Sequence, residues 1–392
     1  MRIGIDASNI SKGGGLTHLF EILKYLDGSK ENISAVHVWS NRATLDKIID
    51  HELIIKMHLP VLDKSIFYRT LWQKFKLPFL LKENACNILF VPGGPTSTSF
   101  SPKVTMSRNM HPFVNRELFR LPLFSFMMLK YIIIRLTQPS LFKKYEGIIF
   151  LNEFAENAMM PIIGKCNAMI RILPHGVNPI FKASPRSQKP LSSYSAEQKF
   201  QLLYVSKIDV HKHQSKVAQA VLNLHNKGYP VRITFIGPVD SQNEYSLFNK
   251  VIASDPFSHE VISYTGNIDY NNLQEFYKKA DLFVFASSCE NMPNILLEAM
   301  AAGLPIACSS FGPMPHILKE GGVYFSPESI IEIEDSIQKL LLSEDLRKRV
   351  SYTAYEISQA YTWKKCSEET FQFIHDINKK HTDGLYQKQS EI

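Results

Sequence analysis

Residues 280–308, ADLFVFASSCENMPNILLEAMAAGLPIAC, admit few folds. Asp281 to Ala286 is a short, almost wholly apolar run, which suits a strand covered on both faces. Ser287 to Met292 is a polar turn. Pro293 suits the opening of a helix, because its missing N–H is not needed in a first turn. Leu296, Leu297, Met300 and Ala301 then recur at helical spacing. Gly303 fits the stop just past a helix, and Leu304 to Cys308 reads as the next strand. Strand, tight turn, helix and strand make the repeating unit of a parallel α/β sheet.

Two carboxylates stand out in that unit. Glu290 lies in the turn, and Glu298 lies five residues past Pro293, roughly 7.5 Å up the helix axis at ~1.5 Å per residue. The N–H groups around Met292 to Ile295 have no partner within the helix and favour oxygen ligands or negative charge. Acids beside such amides can bind polyols, including sugar and ribose hydroxyls. Equally compatible with the spacing is a plainer pair of roles, Glu290 as an N-terminal cap and Glu298 as a solvated helix residue.

The same βα alternation runs through the chain. Arg2 to Ala7 reads as a first buried strand, followed by a loop ending in Gly13, Gly14 and Gly15 and by a helix from Leu16 to Leu26. Free amides at such a helix start can hold phosphate; a plain tight turn serves as well. It is not the dinucleotide fingerprint, because the third glycine is absent and no acid ends the strand Ala35 to Ser40. Further strands are predicted at Leu53 to Met57, Asn87 to Val91, Lys103 to Ser107, Gly147 to Leu151 and Ile170 to Leu173, with helices at Ile66 to Lys82 and Pro122 to Tyr145. A polar stretch, Ser184 to Lys199, reads as a linker loop. After it come strands at Gln201 to Val205, Val231 to Ile236 and Val261 to Tyr264, and a helix at Gln214 to Asn226. Lys207 and Lys212 straddle the loop between the first of these strands and that helix. Two ammonium groups at the carboxyl end of a strand can hold a diphosphate without a metal. His211 and His213 lie beside them with Asp209 the one acid close in sequence and no cysteine, so no metal site is expected.

At 392 residues, with 45% apolar and 11% aromatic residues, the chain suggests two domains with large cores. Its five cysteines (86, 166, 289, 308, 366) show no C-x-x-C pairing and are odd in number, which reads as reduced thiols in a cytoplasmic protein. The N-terminus runs straight into a strand, so no leader is expected, and no uncharged apolar run reaches the ~18 residues a membrane span needs. Charge is uneven. Residues 1–178 hold 22 Lys+Arg against 13 Asp+Glu, while the remainder holds 22 against 24. A basic half favours an anionic partner: a phosphorylated lipid, the inner face of the cytoplasmic membrane touched peripherally, or nucleic acid. The apolar segment from Arg120 to Lys144 fits either a helix lying in a membrane interface or an ordinary core helix with basic flanks, the latter favoured. Nucleic acid is not expected, since no motif interleaves aromatic and basic residues.

The pattern S-x-x-E-N-x-P-N-x-x-L-E-A-M-A-x-G-x-P, from Ser287 to Pro305, resembles the signature of the retaining glycosyltransferases of family 4. The resemblance is dense from about residue 150 to 375 and thin before 100. It implies the GT-B architecture: an α/β fold of two Rossmann-like parallel-sheet domains, a cleft between them, and a C-terminal helix crossing back. The domains would be 1–178 plus 364–392 on the acceptor side, and 179–363 holding a nucleotide sugar. Pro174-His-Gly-Val-Asn resembles the family's interdomain hinge, and Trp363 would pack where the last helix crosses. By the same resemblance Glu290 contacts the donor sugar with Asn291, Met292 and Pro293, Glu298 holds the ribose hydroxyls, and the loop with Gly266 and Asn267 faces the base. Gly14 and Gly15 would lie beside the donor diphosphate. The family's G-R-L-x-x-x-K-G appears here as Ser206, Lys207, Ile208, then Lys212 and His213, so a lysine point charge replaces the bidentate arginine. The family's H-N-M-x-P-F appears with Arg108 at the histidine position and His111 three residues later; Arg108 is a candidate for charge stabilisation, and His111 fits either the family histidine's role or a purely structural one.

The expected activity is therefore a retaining hexosyl transfer from a UDP- or GDP-sugar to a hydroxyl of a glycan or lipid-linked saccharide, in cell-envelope polysaccharide synthesis. Glu290, Lys207, Lys212, Arg108 and His111 would carry it. The chain contains no D-x-D, so stabilisation of the leaving diphosphate without a metal or other cofactor is the expectation. A GT-B sugar-nucleotide epimerase and a catalytically silent binding protein are the rival readings.

Overall fold

The structure, a computed structural model, describes residues 1–11, 13–120 and 125–390. The chain forms two compact units: Met1–Gly176 together with the chain from Trp363 onward, and Val177–Thr362. The joints thus fall at Gly176/Val177 and Thr362/Trp363, against 178/179 and 363/364 read from the sequence.

Unit 1 is built on seven parallel strands: β1 (Arg2–Asp6), β2 (Ala35–Trp39), β3 (Ile54–Met57), β4 (Ile88–Val91), β5 (Lys103–Met106), β6 (Gly147–Phe150) and β7 (Met169–Ile172), in the order β3-β2-β1-β4-β5-β6-β7. Four of them, β2, β4, β5 and β6, are buried at every position. That is the burial expected of parallel strands covered on both faces, and their Val- and Ile-rich runs supply it. The helices α1 (Gly14–Lys24), α2 (Ile66–Phe75), α3 (Leu77–Glu83), α4 (Phe126–Phe142) and α5 (Glu153–Ile163) connect them. The C-terminal helix, Trp363–Ser390, returns to this unit and lies against α1, β4, β5 and β6. Gly147 marks the closest approach: a Cβ there would stand 3.0–3.1 Å from Val104, Phe373 and Ile377.

Two predicted helices are corrected. Ile66 to Lys82 is not one helix but α2 and α3, broken at Lys76 because Pro78 offers no N–H and crowds the preceding turn. The segment from Arg120 to Lys144 is described only from Ser125, residues 121–124 lying outside the described residues. Within it, α4 buries Phe142 alone and exposes Phe126, Leu129, Ile133 and Leu136. The core-helix reading of this segment therefore fails.

Unit 2 has six parallel strands: β8 (Phe200–Val205), β9 (Val231–Ile236), β10 (Ile262–Tyr264), β11 (Leu282–Phe285), β12 (Ile306–Ser309) and β13 (Val323–Phe325), ordered β10-β9-β8-β11-β12-β13. Phe200, Tyr204, Phe235, Phe283 and Phe285 fill its core. Around it lie α6 (Gln214–Asn226), α7 (Gln242–Ala253), α8 (Leu273–Lys279), α9 (Asn294–Ala301), α10 (Ile330–Leu342) and α11 (Glu344–Ser358). The opening stretch thus forms β11, α9 and β12, with Leu296, Leu297, Met300 and Ala301 buried as their spacing predicts.

The stretch Ser184 to Lys199 is not a linker but a strap bound to unit 2. Arg186 donates to Lys278 O at 2.7 Å, and buried Arg347 donates to Gln188 Oε1 at 3.1 Å and to Lys189 O at 2.5 Å. Its polar composition misleads because its polar groups bond to unit 2: Arg186 donates outward, while Gln188 Oε1 and Lys189 O accept from Arg347. No helix among the described residues is long and apolar enough to cross a membrane.

Candidate functional site

In unit 2 the direction of sheet growth reverses between β8 and β11. Loops leaving the carboxyl ends of two such strands diverge and open a crevice. The loop after β8 carries Lys207 to His213; the loop after β11 carries Ala286 to Pro293. Ser288 N donates to His211 O at 2.9 Å and fastens the two loops together. His213 stands where the resembled pattern has its second glycine, and it adopts the left-handed φ of 52° that glycine accepts more readily.

Lys212 and Glu290 come from opposite sides of this point and form an ion pair, with 7% and 16% of their side chains exposed. The Lys212 ammonium also lies 5.3 Å from the Phe285 ring centroid. Burial pushes the Glu290 carboxyl up, but the Lys212 charge, His211, and hydrogen bonds from Lys212 and Ser287 outweigh it and hold the group below its ordinary value. Glu290 is therefore no helix cap.

Lys207 finds two carboxylates, Asp209 at 2.8 Å and Asp240 at 2.5 Å. Burial would lower its pKa, yet these two acids raise it. Asp209 also faces His211 Nδ1 at 3.5 Å. Opposed by burial, His211 and Lys207 hold the Asp209 carboxyl far below the usual range. Lys207 and Asp209 are thus joined through His211 to the Glu290–Lys212 pair in one network.

Glu298 lies apart from that network, in α9, and is only 3% exposed. Tyr270 and Tyr277 each donate a hydroxyl to it at 3.1 Å. Burial pushes its carboxyl up to about 7, and the two tyrosine bonds offset only part of that. The solvated-helix role does not hold. Tyr270 and Tyr277 escaped the sequence reading. A signal existed for Tyr277, which shares the buried face of α8 with Leu273; a buried phenol needs an acceptor. Of the remaining candidates in this unit, Asn291 and Met292 are buried, Pro293 precedes α9 as its cap residue, and Gly266 O accepts from Gly237 N at 2.8 Å with Asn267 exposed beside it.

Unit 1 brings a second set together. Gly14 and Gly15 open α1, and a Cβ on Gly15 would stand 3.4 Å from the Arg108 guanidinium. Arg108 Nη1 is buried without a hydrogen-bond partner among the described residues. Burial lowers Arg108 to about 10, opposed by Cys366, and the group stays charged at neutral pH. Beside it His18, fully buried, stacks on His175 with ring centroids 5.1 Å apart, and Trp363 packs against His175 at 5.3 Å. Burial, then His175 and Arg108, keep His18 neutral. His111 stacks on Tyr131 of α4 at 5.9 Å. Among the described residues no three His, Cys, Asp or Glu side chains are placed to hold a metal ion.

Of the sequence candidates, the structure joins Lys212 to Glu290 and Gly15 to Arg108. Lys207 is linked to the first pair through Asp209 and His211, and Glu298 has its own two tyrosines.

Residues 187–357 match the family described as "Glycosyl transferases group 1". The sulfoquinovosyl transferase SQD2 of Arabidopsis thaliana is 26% identical over 168 residues, 42% of this chain and 31% of that protein. The chain therefore spans under a third of that relative's length. Sucrose-phosphate synthase from Thermosynechococcus elongatus superposes with a TM-score of 0.75 at 13% identity, covering 96% of this chain and 99% of that one. The Anabaena protein HepE, in complex with UDP-glucose, superposes with a TM-score of 0.64 at 15% identity, covering 99% and 100%. At these identities the structural likeness speaks for the fold.

Proposed function

The chain belongs, through residues 187–357, to the glycosyl transferases group 1 family and has its GT-B fold, and from that premise we propose that it is a retaining glycosyltransferase acting on a nucleotide sugar. The donor is a UDP- or GDP-sugar, and the acceptor is a hydroxyl of a glycan or lipid-linked saccharide. The UDP-glucose held by HepE supports a donor of this class. The observation that carries the reading is the Lys212–Glu290 pair at the reversal between β8 and β11, inside the matched region.

In this reading the pair is the resting state of the donor site. An incoming diphosphate takes over the Lys212 ammonium, and the N–H groups at the start of α6 add to the attraction. Glu290, released, accepts hydroxyl protons of the sugar. Lys207 adds a second positive charge once the diphosphate competes with Asp209 and Asp240. Both ammonium groups then stabilise the charge that develops on the leaving diphosphate, in the place a metal would take elsewhere. Glu298 accepts the ribose hydroxyls. In unit 1, Arg108, whose Nη1 has no hydrogen-bond partner among the described residues, serves an anionic group of the acceptor, and His111 remains a proton-handling candidate. Attack from the face the diphosphate leaves accounts for retention without a covalent nucleophile.

A panel of UDP- and GDP-sugars in a thermal-shift assay tests the donor site directly. A melting temperature raised by one sugar nucleotide is expected; no shift across the panel would leave a silent binding protein. Product analysis without acceptor separates the rival epimerase, which alone would return an isomerised donor. Transfer is expected to survive a chelator.

A further inference from the structure

We propose that α2 and α3 of unit 1 form a docking surface for an anionic phospholipid bilayer, with one acyl chain seated in the groove beneath them. The inference stands independently of the donor site in unit 2. Phe67, Phe75 and Phe79 each leave more than 60% of their surface in water, and Ile66, Tyr68 and Leu71 are exposed beside them. Phe67, Leu71 and Phe75 recur every four residues and form one stripe along α2, and Phe79 of α3 is exposed as well, while Trp72, Leu77 and Leu81 are buried. Contiguous exposed apolar surface of this kind marks an interaction site.

The charge around the stripe selects the partner. From residue 63 to residue 83 the chain carries Lys64, Arg69, Lys74, Lys76 and Lys82 against two acids, Asp63 and Glu83, one at each end. Among the described residues none of the four lysines is ion-paired. A second copy of the chain would bring two such basic faces together in a drying interface, at a cost in like-charge repulsion. Aromatic and aliphatic side chains rimmed by lysines that balance no acid, two of them lying over the Tyr68 and Phe75 rings, match instead the interfacial helix of a peripheral protein, its rings among acyl chains and its ammonium groups at the headgroups.

A groove of about 570 Å³ opens next to the stripe, lined by Val61, Leu71, Trp72, Phe75 and Leu80 among others, with Lys76 its single charged residue. Trp72 is 4% exposed, and its indole N–H has no acceptor among the described residues. A lipid ester or phosphate oxygen would supply one. The surface also lies at the carboxyl edge of the sheet. Arg69 Nη1 donates to Ser8 O, just past β1, at 2.5 Å. Gln138 of α4 stands beside Gly94, just past the neighbouring β4. The exposed stripe of α4 therefore flanks the same edge and can enlarge the contact.

The test uses the full chain with vesicles of phosphatidylcholine alone and of phosphatidylcholine with phosphatidylglycerol. Co-sedimentation is expected with the anionic vesicles and not with the neutral ones. Each lysine at an anionic surface strengthens binding roughly fivefold, so Lys74→Glu, Lys76→Glu and Lys82→Glu together weaken it by a hundredfold or more. Phe67→Ser, Phe75→Ser and Phe79→Ser together also release the protein, while circular dichroism and any donor-induced thermal shift stay unchanged. Vesicles with brominated acyl chains quench tryptophan fluorescence in the wild type, and Trp72→Phe removes that quenching. Equal sedimentation with neutral vesicles, retention of binding by either triple variant, or no quenching in the wild type overturns the proposal. So does a dimer in light scattering that the phenylalanine variant dissolves, which would make a second copy the occupant.

Discussion

Glu298 is a carboxylate with almost no water to ionise in, and the cost of that is measurable. Its folded-state pKa of about 7 lies above the ordinary value of 4.5. A group raised in this way binds its proton more tightly folded than unfolded. Its contribution to stability is therefore complete below pH 4.5 and is lost as pH rises through 7. The rise from 4.5 to about 7 corresponds to about 3 kcal/mol at alkaline pH. Glu298→Gln keeps one acceptor oxygen, so one tyrosine hydroxyl still donates while the other turns to accept from the amide N–H, and it removes the titration. It is expected to flatten the stability profile between pH 5 and 8, to raise stability at pH 8, and to abolish nucleotide-sugar binding. Denaturant melts across that pH range check the first two, and thermal shift the third; a variant as pH-sensitive as the wild type would show that the carboxyl is not buried as described. Lys212 calls for a different design. Lys212→Ala leaves Glu290 buried without its counter-ion, so about 3 kcal/mol of stability is lost along with a hundredfold or more in kcat. Adding Glu290→Gln restores most of the stability and none of the turnover. If the double variant recovers turnover as well, the pair is structural and not part of the donor site. Both acids were legible from their spacing in the turn and helix, and both lysines from their place after a strand. Their partners were not. Asp240 lies 33 residues from Lys207, and Tyr277 lies 21 from Glu298. No local pattern records contacts of that span.

At the scale of elements, turns hold these charges in place. Gly237 follows β9 with φ 142°, and a Cβ on it would stand 2.1 Å from Ser206 O and 2.9 Å from Lys207 N. Only glycine lets the β9 loop lie against the loop that carries Lys207. Gly237→Ala forces those backbones apart, so it is expected to weaken donor binding and to cost stability on the order of 3 kcal/mol through combined overpacking and strain. Binding and melting measured on the same protein decide it; an alanine variant with unchanged donor affinity would mean that Lys207 is not positioned by this contact. The sheets were readable because parallel strands covered on both faces appear as unbroken apolar runs. Helix ends and surfaces were less so. The apolar residues of α4 meet water instead of a core, and composition alone cannot tell those two fates apart. The strap from Ser184 to Lys199 likewise reads as a free linker until Arg347, some 160 positions later, is seen to bind Gln188 Oε1 and Lys189 O.

At the scale of the molecule, the two units differ in how the chain builds them. Unit 2 is one continuous segment, Val177–Thr362, whose ends are tied where Val177 N donates to Tyr361 O at 3.1 Å. Unit 1 is discontinuous, since its last cover arrives only with Trp363 and the helix that follows. That helix buries Phe371, Phe373, Ile374 and Ile377, and Ser367 Oγ donates to Ile22 O at 2.7 Å. Four such side chains at about 2 kcal/mol each supply on the order of 8 kcal/mol. A whole domain is typically stable by only about 5–15 kcal/mol. A fragment ending at Thr362 is therefore expected to leave unit 1 unfolded, although every strand of its sheet is present. The fragment 177–362 is expected to unfold cooperatively by itself and to keep the thermal shift given by the donor, because Lys207, Lys212, Glu290 and Glu298 all lie within it. Calorimetry separates these outcomes: one transition for the fragment 1–362, matching that of 177–362, against a second transition that would show the C-terminal helix to be dispensable. Loss of donor binding by a folded 177–362 would instead place an essential part of the donor site in unit 1.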